Sequence, residues 1–319
     1  MITRRRWLAG AAAAPWLGCG RPGRRVIGVV PKATSHIFWL TVQAGAAAAG
    51  RDYQVEIEWN GPPSEADYSR QIQIIDSFIA RRVSALAIAA ADRTALVGPV
   101  ERAVKAGIPV VIFDSGLDSD RYLSFLATNN YEGGQMAARK LAELLGGKGK
   151  VALLMHMPGS YSSMERERGF RDALAQEFPG LRIVAEQFGL SDRAKARAAA
   201  ENILAANPSL DGMFASAEPS SVGAALAIKQ RGLAGKVKLV TFDSSDGLIE
   251  ELRAGVIDAM VVQDPFLMGY QAVAILVAHL NGQTPARQID LHATVVTRAD
   301  LDKPEIHKLL YPDVKSDLR

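Results

Sequence analysis

Beyond the first two dozen residues, short β-branched and apolar runs alternate with longer stretches in which apolar residues recur every three or four positions. Runs of about five residues suit strands buried on both faces, and the longer stretches suit helices packed on them. The pattern predicts strands at 26–30, 53–59, 84–89 and 109–113, separated by helices at 38–50, 64–80 and 93–106. A short strand near 123–127 leads into a second series. Its helices fall at 131–145, 162–177, 192–206 and 219–231, and its strands at 150–155, 182–187, 212–215 and 237–242. Two series of similar length predict an α/β protein of two similar Rossmann-like lobes with parallel sheets.

An internal echo supports this division. Val111-Ile112-Phe113-Asp114-Ser115 and Val240-Thr241-Phe242-Asp243-Ser244 share four of five residues at a separation of 129. Each ends a buried strand with Asp-Ser, and open α/β sheets bind ligands just beyond the carboxyl ends of their strands. Asp114 and Asp243 are therefore expected to face one another across a cleft. The alternative is that each aspartate only caps a following turn or helix.

Charge and cysteine change the picture at one end only. The 319 residues hold 37 Lys+Arg and 34 Asp+Glu, a formal net charge of +3. Setting aside Arg4, Arg5 and Arg6 leaves 34 bases and 34 acids, so charge gives no footprint for nucleic acid. Those arginines precede a weakly apolar run, Trp7 to Gly18, too short to span a bilayer, and the segment reads as an export signal. Arg4-Arg5-Arg6-Trp7-Leu8 resembles a twin-arginine signal, and Leu17-Gly18-Cys19 resembles a bacterial lipoprotein processing site. Trp16 departs from that motif. Cleavage before Cys19 with lipidation of its thiol is the expectation, and an ordinary signal with a free or buried thiol is the alternative. As the single cysteine, Cys19 leaves no intrachain disulfide.

Enzymatic signatures are sparse. The five histidines, His36, His156, His279, His292 and His307, are dispersed, and there is no HExxH, no GxSxG and no phosphate loop ending in Gly-Lys-Ser/Thr. Gly18 to Gly23 satisfies a dinucleotide fingerprint formally but has no strand before it and contains Pro22. Asp118-Ser119-Asp120 lacks the ordered oxygen ligands of a calcium loop. No catalytic residue, metal or cofactor is expected.

Several short motifs fall in an informative order. They are Ile27-Gly28-Val29-Val30 leading to Phe38-Trp39, Gly107-Ile108-Pro109-Val110 ending at Asp114, and Thr128-Asn129-Asn130 followed by Gly133-Gly134. Arg166-Glu167-Arg168-Gly169-Phe170, Phe242-Asp243 and Gln263-Asp264-Pro265 complete the series. The pattern resembles the periplasmic sugar-binding proteins of the ribose-binding type, which share their fold with LacI-type effector domains. The resemblance implies a signal peptide and tether at 1–24, an N-terminal lobe of 25–128 plus 264–290, and a C-terminal lobe of 129–263 plus 291–310. Connections near 114–129, 243–263 and 285–298 would form the hinge.

The resemblance also implies a site. Phe38 and Trp39 would pack on the face of a sugar ring, Asp114 and Asp243 would accept from hydroxyls, Arg166 would donate, and Gln263 would do both. The departures fall at Ser115 in place of an Arg, Ala217 before Glu218 in place of an Asn, His36 at the polar position before the aromatic pair, and Ser191 in place of a third aromatic. They predict a roomier pocket that holds something other than ribose, with Lys32, His36 and Trp59 as replacement contacts. The function implied is an exported solute-binding component of an ABC importer, periplasmic or anchored by lipid to the outer face of the inner membrane. It would be a monomer that binds a sugar or polyol and docks on a permease. The alternatives are a sensing protein for a chemoreceptor or sensor kinase, and a binder of a non-carbohydrate polar metabolite.

Overall fold

The computed structural model describes residues 24–312 together with Val314 and Leu318. The expected export signal and Cys19 lie outside the described residues. In chain order the first series is β1 (Val26–Val30), α1 (Ile37–Asp52), β2 (Glu56–Trp59), α2 (Tyr68–Ala80), β3 (Ala85–Ile88), α3 (Val97–Lys105), β4 (Val110–Phe113) and β5 (Ser124–Thr128). The second is α4 (Asn130–Leu145), β6 (Gly149–Met155), α5 (Tyr161–Glu177), β7 (Leu181–Phe188), α6 (Arg193–Ala206), β8 (Gly212–Ala215), α7 (Glu218–Gln230), β9 (Lys238–Phe242), α8 (Asp246–Ala254) and β10 (Ala259–Val262). The chain then forms α9 (Pro265–Leu280), β11 (Gln288–Leu291), β12 (Thr294–Thr297) and α10 (Pro304–Leu310).

These elements make two six-stranded sheets, in the orders β11-β5-β4-β3-β1-β2 and β12-β10-β9-β8-β6-β7. Within β1, Ile27 and Val29 join the cluster under α1 and α9, while Val30 joins the opposite cluster with Ile74 and Phe78 of α2. The strand reads as continuously apolar because both faces are covered. Helices α4 and α5 cover one face of the second sheet, and α6, α7 and α8 the other.

Most starts and ends agree with the periodicity to within two residues. The largest differences are at α2 and α3, which begin later than expected. Asp67 caps α2 by accepting from the Arg70 amide, and Asp92 folds its neighbours into a turn by accepting from the Thr94 and Ala95 amides. Such Asx turns compete with helix. One strand runs the other way: β12 is antiparallel to β10, whereas parallel sheets were expected. Strand β11 runs parallel to β5 and ends at the junction of the two sheets. Only His292 and Ala293 separate it from β12, too few for a parallel crossover, so the chain enters the second sheet head-on. The passages between sheets are shorter than expected, falling between β5 and α4, between β10 and α9, and between β11 and β12.

Both halves contain close helix contacts that only glycine permits. A Cβ on Gly45 of α1 would lie 2.0 Å from the Phe266 carbonyl oxygen of α9, and one on Gly134 of α4 would lie 1.9 Å from the Arg166 carbonyl oxygen of α5. The second contact sets where Arg166 sits.

Candidate functional site

The carboxyl ends of both sheets meet at one cleft, walled by the loops leaving β1, β2, β4, β6, β8, β9 and β10 together with α1 and α5. Asp114 and Asp243 are built alike. Each follows its strand in the left-handed region, with φ of 59° and 69°. The backbone amide of Asp114 donates to Leu126, and that of Asp243 to Val261, so each extends the ladder to the next strand by one bond. A short polar side chain tolerates that backbone, which explains why Asp ends both strands.

Their surroundings differ. Asp114 Oδ2 forms an ion pair with Lys32 Nζ at 2.9 Å. The same ammonium donates to Ser160 Oγ at 3.3 Å and Ser162 Oγ at 3.0 Å, across the cleft in the other half. Asp243 is held within its own half: Gln263 Nε2 donates to Oδ1 at 2.6 Å and the Glu218 amide to Oδ2 at 3.0 Å. Arg166 Nη1 lies 3.7 Å from Asp243 Oδ2. Burial pushes the Asp243 carboxyl upward despite the opposing pull of Arg166. Arg166 is fixed by Asn130 Oδ1 at 2.7 Å and the Ser216 carbonyl at 3.0 Å, with its guanidinium 3.8 Å from the Phe242 ring centre.

Two further pairs cross the cleft. Glu65, in the loop before α2, accepts from Trp39 Nε1 at 3.1 Å and sits 2.9 Å from His156 Nε2. Burial alone would raise its pKa, but Lys32 and then His156 hold it well below the usual carboxylate range. His36 Nδ1 lies 3.6 Å from Glu218 Oε2, and Glu218 is also bound by Arg193. The Glu218 carboxylate raises the His36 pKa against the effect of burial.

A narrow cavity lies between these groups, lined by His36, Phe38, Trp39, Asp114, Arg166, Ala217, Glu218, Asp243 and Gln263. Those are nine of the eleven expected ligand residues. Ser115 and Ser191 are not on its wall. Ser115 is buried and accepts from the Ser162 amide, while Ser191 sits at φ 54° with its amide bonded to the His156 carbonyl. Trp39 is only 2% exposed, packed edge-on against Phe38 and Phe113, so Phe38 is the more available face. Trp59 also stays off the wall. The wall includes Glu65, His156, Ser162 and Pro219, which sequence reasoning missed, together with Lys32. The periodicity places Glu65 in the first turn of a helix at 64–80, whereas it lies in the loop before α2 and meets Trp39 and His156, partners distant in sequence. The roomier pocket expected from the smaller residues is filled on the Asp114 side by Lys32, which sits against the aspartate that Ser115 follows.

The chain and its fold resemble known proteins. Residues 27–284 match the family model described as periplasmic binding protein domain. A D-ribose/D-allose-binding protein of Pseudomonas aeruginosa is 30% identical over 277 residues, covering 84% of this chain and 86% of its own length. A solute-binding protein of Agrobacterium radiobacter, solved with D-arabinose, is 33% identical with a TM-score of 0.88, covering 91% of this chain and 100% of its own. One from Agrobacterium vitis, solved with D-fucose, is 36% identical with a TM-score of 0.87, covering 90% and 100%. With its two-lobed fold and a match spanning most of its length, this chain belongs to the periplasmic binding protein domain family.

Proposed function

We propose that this protein is the exported solute-binding component of an ABC importer and that it binds a neutral sugar or polyol between its lobes without turning it over. The observation that carries this reading is the cleft, where Asp114, Phe38 and Gln263 meet Arg166 and Asp243 on one cavity. The acids of the wall are matched: Asp114 by Lys32, Asp243 by Arg166, Glu65 by His156, and Glu218 by Arg193 and His36. A cup with its charges already balanced suits an uncharged ligand. Contacts from both sides favour the closed state, which a permease would recognise. We further propose that the protein acts as a monomer anchored through lipid on Cys19.

A thermal-shift screen against pentoses, hexoses and polyols tests the ligand class. Ligand at a hundred times Kd is expected to raise the melting point by several degrees. No shift with any of them would reject the carbohydrate reading. Mass spectrometry of the membrane fraction tests the anchor, and an unmodified Cys19 would remove it.

A further inference from the structure

Beside the sugar cup, and sharing Phe38, Asp243 and Gln263 with it, lies a second, larger cavity. Its character is different. Ile37, Phe38, Val262, Leu309, Tyr311 and Pro312 give it an apolar lining, and Ile37 and Tyr311 remain 40% and 42% exposed. Among the described residues, its charged groups are the acids Asp243 and Asp246. At the shared wall stands Gln263, 2% exposed, whose Nε2 is committed to Asp243 and whose Oε1 has no hydrogen-bond partner. A buried acceptor left without a donor is costly, and a ligand hydroxyl is a natural donor to it.

The walls also come from both halves of the protein. Ile37 and Phe38 begin α1, whereas Leu310 belongs to the core beneath α6, α7 and α8. An occupant would therefore favour closure just as the sugar does. Resting on the sugar-binding reading above, we propose that the preferred ligand is a glycoside: its sugar fills the cup and a compact, uncharged apolar aglycone fills the second cavity. The carboxylates of Asp243 and Asp246 on the wall disfavour an anionic aglycone such as a phosphate. The apolar lining and exposed Ile37 and Tyr311 gain from covering by a hydrocarbon or aryl group.

Calorimetry on the protein with D-ribose, D-allose, D-arabinose and D-fucose, each beside its methyl and phenyl glycosides in both anomers, tests this. At least one phenyl glycoside is expected to bind about tenfold or more tighter than its parent sugar, about 1.4 kcal/mol. Leu309→Trp, which fills the second cavity, should erase that advantage while leaving the parent sugar within about twofold. Ile37→Ser, at an exposed position, should reduce the advantage without threatening the fold. If the free sugar binds and every glycoside binds more weakly, the glycoside proposal fails and the sugar-binding reading stands. Loss of the free sugar and the glycoside alike in Ile37→Ser also overturns the proposal. If no sugar and no glycoside binds, both readings fail together.

Discussion

Asp114 and Asp243 end matching strands in the two halves with the same left-handed backbone, yet one is wired across the cleft and the other within its own half. Lys32 links Asp114 to Ser160 and Ser162 on the far side, so Asp114 belongs to the apparatus of closure. Asp243, braced by Gln263, Glu218 and Arg166, belongs to a preassembled cup. The repeat copies a backbone device; the side chains around it divide the work.

Removing the braced aspartate should show the largest effect. Asp243→Ala leaves Arg166 without its carboxylate, Gln263 Nε2 without an acceptor and the Glu218 amide unpaired. Breaking a buried pair in this way costs about 3–5 kcal/mol. Calorimetry with the sugar identified by thermal shift is expected to show more than a hundredfold loss. Asp243→Asn keeps an acceptor and tolerates the positive φ, and about tenfold is expected. Asp114→Ala should weaken binding by tens-fold, because Lys32 retains Ser160 and Ser162. Equal losses for Asp114→Ala and Asp243→Ala would erase the distinction between a closing and a preassembled acid.

The glycine contacts compare the halves a second way. Gly134→Ala and Gly45→Ala each force a methyl against a backbone carbonyl, and urea melts should show about 1–3 kcal/mol of destabilisation for either. Gly134 abuts the carbonyl of Arg166 itself, so its variant should also lose sugar affinity, by about tenfold. Gly45 abuts Phe266, which lies off the sugar cup, and its variant should bind within about threefold. Comparable affinity losses in both would show that Arg166 is not positioned through this contact.

Much of this was legible beforehand because it is local. Strand and helix periods, the Asp-Ser echo and the residues at strand ends are each set within a few positions of chain. What escaped depends on loops meeting across the cleft. Glu65 and His156 are 91 residues apart and become partners only when both halves fold. Lys32 was legible as a candidate, but its link to Ser160 and Ser162 was not. The direction of β12 was hidden for a similar reason, since nothing in Thr294–Thr297 reveals from which side the chain enters its sheet.

A smaller effect sharpens the closing half of the comparison. The raised His36 pKa means that the cross-cleft attraction to Glu218 is fully present below the ordinary histidine value and is lost as pH rises through the raised one. Glu65 adds to the rise and Arg193 opposes it, while the Glu218 carboxyl is held low by His36 and Arg193 against its burial and stays ionised throughout. Sugar affinity should therefore be a few-fold higher at pH 6 than at pH 8, and His36→Asn should flatten that profile. An unchanged slope in His36→Asn would move the dependence elsewhere.

The smallest effect belongs to Ser191, where the resemblance implied a ligand contact and the geometry offers none. Its hydroxyl is buried without a partner and it is not on the wall of the cup. Removing a buried, unsatisfied hydroxyl relieves a desolvation cost and sacrifices no bond, so Ser191→Ala should melt no lower than the parent protein. The left-handed backbone at φ 54° works against alanine and limits any gain. Ser191→Gly separates the two effects, because glycine loses the hydroxyl and accepts that backbone freely. Sugar affinity should stay within about twofold for both variants, where a hydroxyl bonded to the ligand would lose about tenfold. A tenfold loss in Ser191→Ala matched by Ser191→Gly would restore Ser191 to the ligand shell and show that the cup closes further around its sugar than the geometry described here.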